Sequence, residues 1–246
     1  MNEILESLYS RKSVRVYTDK KISEQDKAEI LCAAANAPTA GNQQLYTILD
    51  ITNVKLKEAL AVSCDNQPFI ALAPLVLIFC ADAQKWYDAY VSVGANPRVP
   101  EVGDLMLAVA DSFIAAQNAV TAAESLGIGS CYIGDIMEKC EEHREMLALP
   151  EYVFPCAMLV FGYPTEQQKN RLKPERCPIQ YIVHENAYHK MNDSELEKML
   201  IGKAHASDYS DWLKAFCKRK YDSEFSSEMS RSVAKYLKSF QTSKDK

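Results

Sequence analysis

Five consecutive residues, Arg11-Lys12-Ser13-Val14-Arg15, carry three fixed cations and one hydroxyl. From Arg11 to Lys21 there are five cations and Asp19 as the one anion, in a chain whose formal net charge is −5. A guanidinium is a planar fork that matches two oxygens of an oxyanion, and a serine with turn amides can complete the shell around a dianion. A phosphate monoester is the ligand this set suits best. Basic side chains that only solvate a surface turn are the alternative reading.

Further candidates lie downstream. The loop Ala37-Pro38-Thr39-Ala40-Gly41-Asn42-Gln43-Gln44 is small and polar, so its backbone can approach a ligand, although a plain helix-to-strand connector has the same composition. Gly127-Ile128-Gly129-Ser130-Cys131-Tyr132-Ile133-Gly134 contains GxG, but it leaves a helix and lacks the third glycine of a dinucleotide fingerprint. No GxxxxGK[ST] occurs, so a phosphate here would not be held by a P-loop. Lys173-Pro174-Glu175-Arg176 adds two cations on a proline-stiffened turn. His184 and His189 are spaced i, i+5, which puts the imidazoles on different helix faces and argues against a metal site. The eight cysteines form no CxxC pair and read as small core residues of a reducing compartment, Cys131 included.

The elements that must position these residues follow from periodicity. Asn2 caps a short helix through Ile4, Leu5 and Leu8 that delivers the chain to Arg11, and Ser23 with Asp26 opens a second helix that ends before Pro38. Tyr46–Ile51 reads as a strand and Val54–Val62 as a helix. The unbroken apolar runs Pro74–Cys80 and Cys156–Phe161 read as strands covered on both faces. Between them, residues 83–100 look irregular and suited to a lid. Gly103 to about Leu126 is the longest periodic element, about 35 Å at 1.5 Å per residue, and too apolar for a surface helix. Its charges are limited to Asp104, Asp111 and Glu124, and Asp111, Gln117 and Asn118 argue against a membrane span. Ala115, Ala119 and Ala122 form a small-residue stripe on which another helix can pack, within the fold or, as favoured here, across a two-fold axis.

With 246 residues, 48% apolar and 25% charged, the chain suits a globular protein of one large domain or two small ones. An acidic chain without a long Lys/Arg stripe does not suit nucleic acid, and the first ten residues lack the apolar core of a secretory signal. The expected location is the cytoplasm.

The order of Arg11-Lys12-Ser13-Val14-Arg15, the Ala37–Gln44 loop, Ala123-Glu124-Ser125-Leu126-Gly127-Ile128-Gly129, Tyr132-Ile133-Gly134, Lys173-Pro174 with Arg176, and Val183-His184-Glu185-Asn186 resembles the FMN-dependent nitroreductase family. It is most similar to the subgroup of NADPH-linked oxygen-insensitive nitroreductases and NADPH-flavin oxidoreductases. The resemblance runs from about residue 3 to about residue 190. It implies an α+β, three-layer α-β-α fold with a mixed, mainly antiparallel central sheet and a long central helix at a dimer interface. The whole of 1–246 would be one nitroreductase-like domain, with 192–246 a helical tail packing on the partner subunit of a homodimer.

By the same resemblance, FMN is the bound cofactor and NADPH or NADH the donor, and nitroaromatics, quinones or free flavins accept electrons in a ping-pong two-electron cycle. Arg11, Lys12 and Ser13, with Lys173 and Arg176, would hold the phosphate and ribityl end; Arg15 and Gln67 would face the pyrimidine edge. Thr39 would approach from the partner subunit, and Tyr132, Ile133 and Gly134 would line the other side. Lys203 falls near the position that recognises the NADPH 2′-phosphate. No acid–base residue is implied, because the ring carries the chemistry and the protein supplies position and charge. The sequence departs from the family pattern at Lys12 (usually arginine), at Asp135 (usually glycine) and at Glu175, which interrupts a Lys-Pro-Arg turn. An FMN-sequestering protein, or another flavin enzyme of the superfamily such as a dehalogenase, remains the alternative.

Overall fold

A computed structural model describes residues 2–205 and 208–241. The chain falls into two compact units, the first holding the described residues up to Arg171 and from Glu228 onward, the second Leu172–Ser227.

In the first unit, α1 (Glu3–Ser10) is capped by Asn2, whose side-chain oxygen accepts from Leu5 N at 3.0 Å, and α2 (Glu24–Ala35) by Ser23, whose hydroxyl accepts from Asp26 N at 3.0 Å. Strand β1 (Tyr46–Asp50) leads through α3 (Val54–Ser63) and α4 (Pro68–Leu72) into β2 (Leu75–Asp82). Helix α5 (Gln84–Ser92) then precedes the long α6 (Val102–Ser125). Strand β3 (Gly129–Ile133), α7 (Cys140–Met146), β4 (Val153–Gly162) and the short α8 (Glu166–Asn170) follow. The second unit contains α9 (Asp193–Ala204) and α10 (Tyr209–Lys220); α11 (Glu224–Leu237) begins there and ends in the first unit.

The strands form one sheet in the order β1-β2-β4-β3, every neighbouring pair antiparallel. Among the described residues its parallel component is one bridge, Ser13 with Ser130. The two central strands are buried along their whole length. Alternation sorts their side chains: Leu75, Leu77, Phe79, Leu159 and Phe161 face α2 and α6, while Val76, Ile78, Met158 and Val160 face α3 and α4. The result is three layers, as the apolar runs required.

Two stretches differ from the sequence reading. Residues 83–100 contain a regular helix, α5, in place of a wholly irregular lid. On α6, Ala115 and Ala119 are fully buried against the chain's own sheet and α2, so the small-residue stripe serves internal packing first. By length and composition α6 is apolar enough to cross a membrane, with 44% of the qualifying window buried. The face left open in the single chain is apolar: Met106, Leu107, Phe113 and Ile114 are each at least 40% exposed.

Candidate functional site

The basic ribbon is fastened to the sheet. Helix α1 ends at Arg11, and from there the backbone runs beside β3, Val14 N donating to Ser130 O at 2.9 Å. Only glycine lets Val14 come this close to β3, because a Cβ on Gly129 would lie 2.4 Å from Val14 Cγ2. The next bridge, Tyr17 with Pro164, relies on Gly162 for the same reason, at 2.4 Å from the Tyr17 ring.

Within the ribbon the three cations differ. The Lys12 ammonium donates to the backbone carbonyls of Lys169 and Arg171, and Arg171 Nη2 returns a bond to Ser13 O at 2.6 Å, so Lys12 stitches the turn after α8 to the ribbon. Arg15 is held by its backbone, N donating to Gln168 Oε1 at 3.3 Å, and its guanidinium lies 5.8 Å from the centroid of the Phe69 ring on α4. Among the described residues neither Arg11 nor Arg15 enters an ion pair. Gln67 opens α4, two residues before Phe69, and its Nε2 donates to Cys64 O at 2.8 Å. Asp65 and Asn66, both at positive φ (61° and 52°), turn the chain sharply into it.

Arg11 lies close enough to Tyr132 for its charge to oppose the rise of the phenol pKa to about 12, which burial causes. Tyr132 Oη meets Gln117 of α6 at 3.5 Å, Ile133 is buried, and Gly134 is exposed at the head of a turn where an added Cβ would touch only Met137. Ser130 Oγ, on the fully buried residue opposite Ser13, has no hydrogen-bond partner among the described residues. Thus Arg11, Ser13, Arg15, Gln67, Tyr132, Ile133 and Gly134 gather along β3 and the start of α4.

Thr39 is held elsewhere in the same unit. Its hydroxyl donates to Asp111 Oδ2 at 2.5 Å, and the Asp111 carboxylate also accepts Ala40 N at 3.0 Å and Leu45 N at 3.1 Å. In the second unit, Lys173 and Arg176 lie on the segment before α9, with Arg176 Nη1 on Pro174 O at 3.4 Å, and Lys203 is in the last turn of α9.

Below Gly134, Glu138 is only 6% exposed and its Oε1 has no partner among the described residues. Burial, and after it the charges of Asp135, Asp65 and Glu228, push its pKa up to about 7. Glu228 Oε1 accepts Lys139 N at 3.0 Å and Ser232 Oγ accepts Cys140 N at 2.9 Å, so α11 caps the start of α7 from across the chain. Sequence reasoning missed Asp111, Ser130, Glu138 and Arg171. Only Asp111 left a signal, as a lone carboxylate midway along an apolar helix.

Fold and site together define a class: a three-layer α+β protein with an anion-receptive ribbon on one sheet edge. A family model described as "Nitroreductase family" matches residues 8–163, and the chain belongs to the nitroreductase family. It is 33% identical over 80% of its length and 80% of the relative's to the oxygen-insensitive NADPH nitroreductase of Salmonella typhimurium. It is 29% identical to an FMN reductase [NAD(P)H] of Bacillus subtilis, over 96% of this chain and 91% of that one. Among solved structures, the NADPH:FMN oxidoreductase of Vibrio harveyi complexed with NAD+ superposes with a TM-score of 0.80 at 25% identity, over 96% of this chain and 98% of that one.

Proposed function

We propose that this protein is an FMN-containing NAD(P)H oxidoreductase that reduces nitroaromatics, quinones or free flavins by two-electron transfer in a ping-pong cycle. The observation that supports this most is the ribbon along β3: two guanidiniums without ion pairs among the described residues, the Ser13 hydroxyl, and behind them the Ser130 hydroxyl, likewise without a partner among those residues. These groups suit FMN. Arg11 and Ser13 are donors for a phosphate dianion; Arg15, over Phe69 of α4, and the amide of Gln67 at the start of that helix would suit the alternating donors and acceptors of a pyrimidine edge. Exposed Gly134 lets a flat ring approach the backbone.

Bound FMN supplies the hydride chemistry, and the chain positions it. Arg15 would hold a fixed positive charge against the pyrimidine edge, so its effect would be larger on reduction than on binding. Tyr132 and Ile133 exclude water from one side. With no dinucleotide fingerprint and no P-loop, donor and acceptor are proposed to use one face of the ring in turn.

The open apolar face of α6 supports a homodimer, since Met106, Leu107, Phe113 and Ile114 would be covered by a second copy. An obligate interface of this kind buries more than about 2,000 Å². The eight unpaired cysteines agree with a reducing compartment, the cytoplasm.

Initial-rate kinetics with NADPH and a nitroarene or quinone test the reading. The expected result is parallel double-reciprocal lines, together with anaerobic bleaching of the yellow protein by NADPH alone. A colourless protein that takes up no FMN on reconstitution overturns it.

A further inference from the structure

A cavity of about 330 Å³ lies between α5, the loop after it and α6, lined by Gln43, Trp86, Tyr90, Pro97, Arg98 and Leu107 among others. None of the residues assigned to the flavin lines it. We propose that this cavity is a second ligand site, for an uncharged planar molecule of one or two fused rings, of the aromatic or quinone type.

The walls dictate the class. Trp86 and Tyr90, one turn apart on α5, hold their ring centroids 5.7 Å apart at 41°, which presents two aromatic surfaces along one side. Pro97 and Pro100 add flat, rigid apolar surface, and the buried Leu45 and Ala83 form the floor. The volume is at the lower end of small-molecule sites, which start at about 300 Å³, and so suits a small ring system.

The indole N–H and the charged groups at the cavity are already committed. Trp86 Nε1 donates to Gln43 O at 2.8 Å, which fixes the indole and leaves its ring as its recognition surface. Arg98 forks onto Asp104, Nη1 to Oδ2 at 2.5 Å and Nη2 to Oδ1 at 3.0 Å, and Asp104 Oδ2 also accepts Glu101 N at 2.8 Å. The guanidinium charge is thus neutralised where a ligand would meet it, so the site offers stacking and apolar contact, with no free charge to select an anion.

The site's location adds a consequence. Leu107 belongs to the α6 face assigned above to a second copy, and Gln43 lies in the loop that Asp111 pins, so the cavity opens beside that face. Ligand binding itself does not require that the flavin reading be correct.

Because Trp86 and Trp212 are the two tryptophans, Trp212→Phe leaves Trp86 as the sole tryptophan reporter. The flavin-loaded Trp212→Phe protein is titrated with 2-methyl-1,4-naphthoquinone without NAD(P)H, and Trp86 emission is followed after correction for absorbance. We expect saturable quenching that Tyr90→Ala weakens by about tenfold or more, the loss of one aromatic wall. Tyr87→Leu, which removes a second aromatic residue from the lining without adding a tryptophan, should weaken it as well and serves if Tyr90→Ala fails to fold. Arg11→Ala, which is expected to lose FMN, should leave the quenching curve in place. Quenching that stays linear in quinone overturns the proposal, and so does quenching unchanged by either cavity variant. Quenching that disappears with FMN in Arg11→Ala also overturns it, because the quinone then occupies the flavin site.

Discussion

Thr39 donates its hydroxyl to Asp111 across 72 positions of sequence, at 2.5 Å, and that bond holds a loop against the middle of the longest helix. The carboxylate is 2% exposed, so whatever it binds it binds without competition from water. Two further backbone amides converge on it, and Gln44 N donates to Thr39 Oγ1 at 2.7 Å.

Removing the acceptor should therefore cost more than removing the hydroxyl. Asp111→Ala leaves one hydroxyl and two amides without partners and should destabilise the fold by about 3–5 kcal/mol, against about 1–2 kcal/mol for Thr39→Ala. Urea denaturation of the two variants measures both. Equal losses would mean that the loop is held by its own turn geometry.

Arg11 and Lys12 are neighbours with different partners, and they should behave differently. Arg11→Ala should weaken FMN by about 10- to 150-fold, the equivalent of about 1.5–3 kcal/mol, and hardly affect riboflavin, which lacks the phosphate. Lys12→Ala removes the stitch to Lys169 and Arg171 and should cost FMN and riboflavin equally, with faster proteolysis around residues 165–171. Flavin-fluorescence titrations with both ligands separate these outcomes.

For Arg15 the expected signature is kinetic. Arg15→Ala should slow anaerobic bleaching by NADPH by a larger factor than it weakens FMN binding, because the charge it faces grows only on reduction. Stopped-flow rates set against equilibrium affinities decide. Equal factors would mean that Arg15 acts through binding alone.

Glu138 gives a pH dependence with a definite sign. Its folded-state pKa is raised from 4.5 to about 7, so between those values the folded protein binds more protons than the unfolded chain, and stability falls as pH rises. The penalty is absent below about pH 4.5 and complete above about pH 7, roughly 3 kcal/mol. Glu138→Gln, uncharged throughout, should flatten that window in thermal unfolding profiles. An identical slope in the variant would place the titrating group elsewhere.

Much of this architecture could be read in the chain. The runs Leu75–Cys80 and Cys156–Phe161 are apolar at every position because both sheet faces are covered, and the caps at Asn2 and Ser23 announced their helices. Strand β3 was hidden: it is short, begins with Gly129, and is completed by Ser13 from the other end of the family match. Helix α5 was hidden by its mixture of aromatic and charged residues, which masks the period. Asp111 could be seen but not interpreted, since its partners lie 66 to 72 residues away and no local pattern encodes such a pairing. Lys12 matched a motif by charge, yet carbonyls that no motif includes receive its ammonium.

The capping of α7 by α11 has a consequence for the order in which the protein can be made. Cys140 N waits for Ser232, Lys139 N for Glu228, and the ring of Phe154 for Tyr236, whose centroid comes to 5.0 Å. On the ribosome the segment next to Gly134 emerges some ninety residues before its caps do. Synthesis proceeds at roughly 5–20 residues per second, so that segment spends about 5–20 seconds with its first helical amides open to water. The candidate site is thus finished from the far end of the chain, and a ribosome stalled before residue 228 holds a nascent protein whose β3 can pair with Ser13 while the turn beneath it is still unsealed.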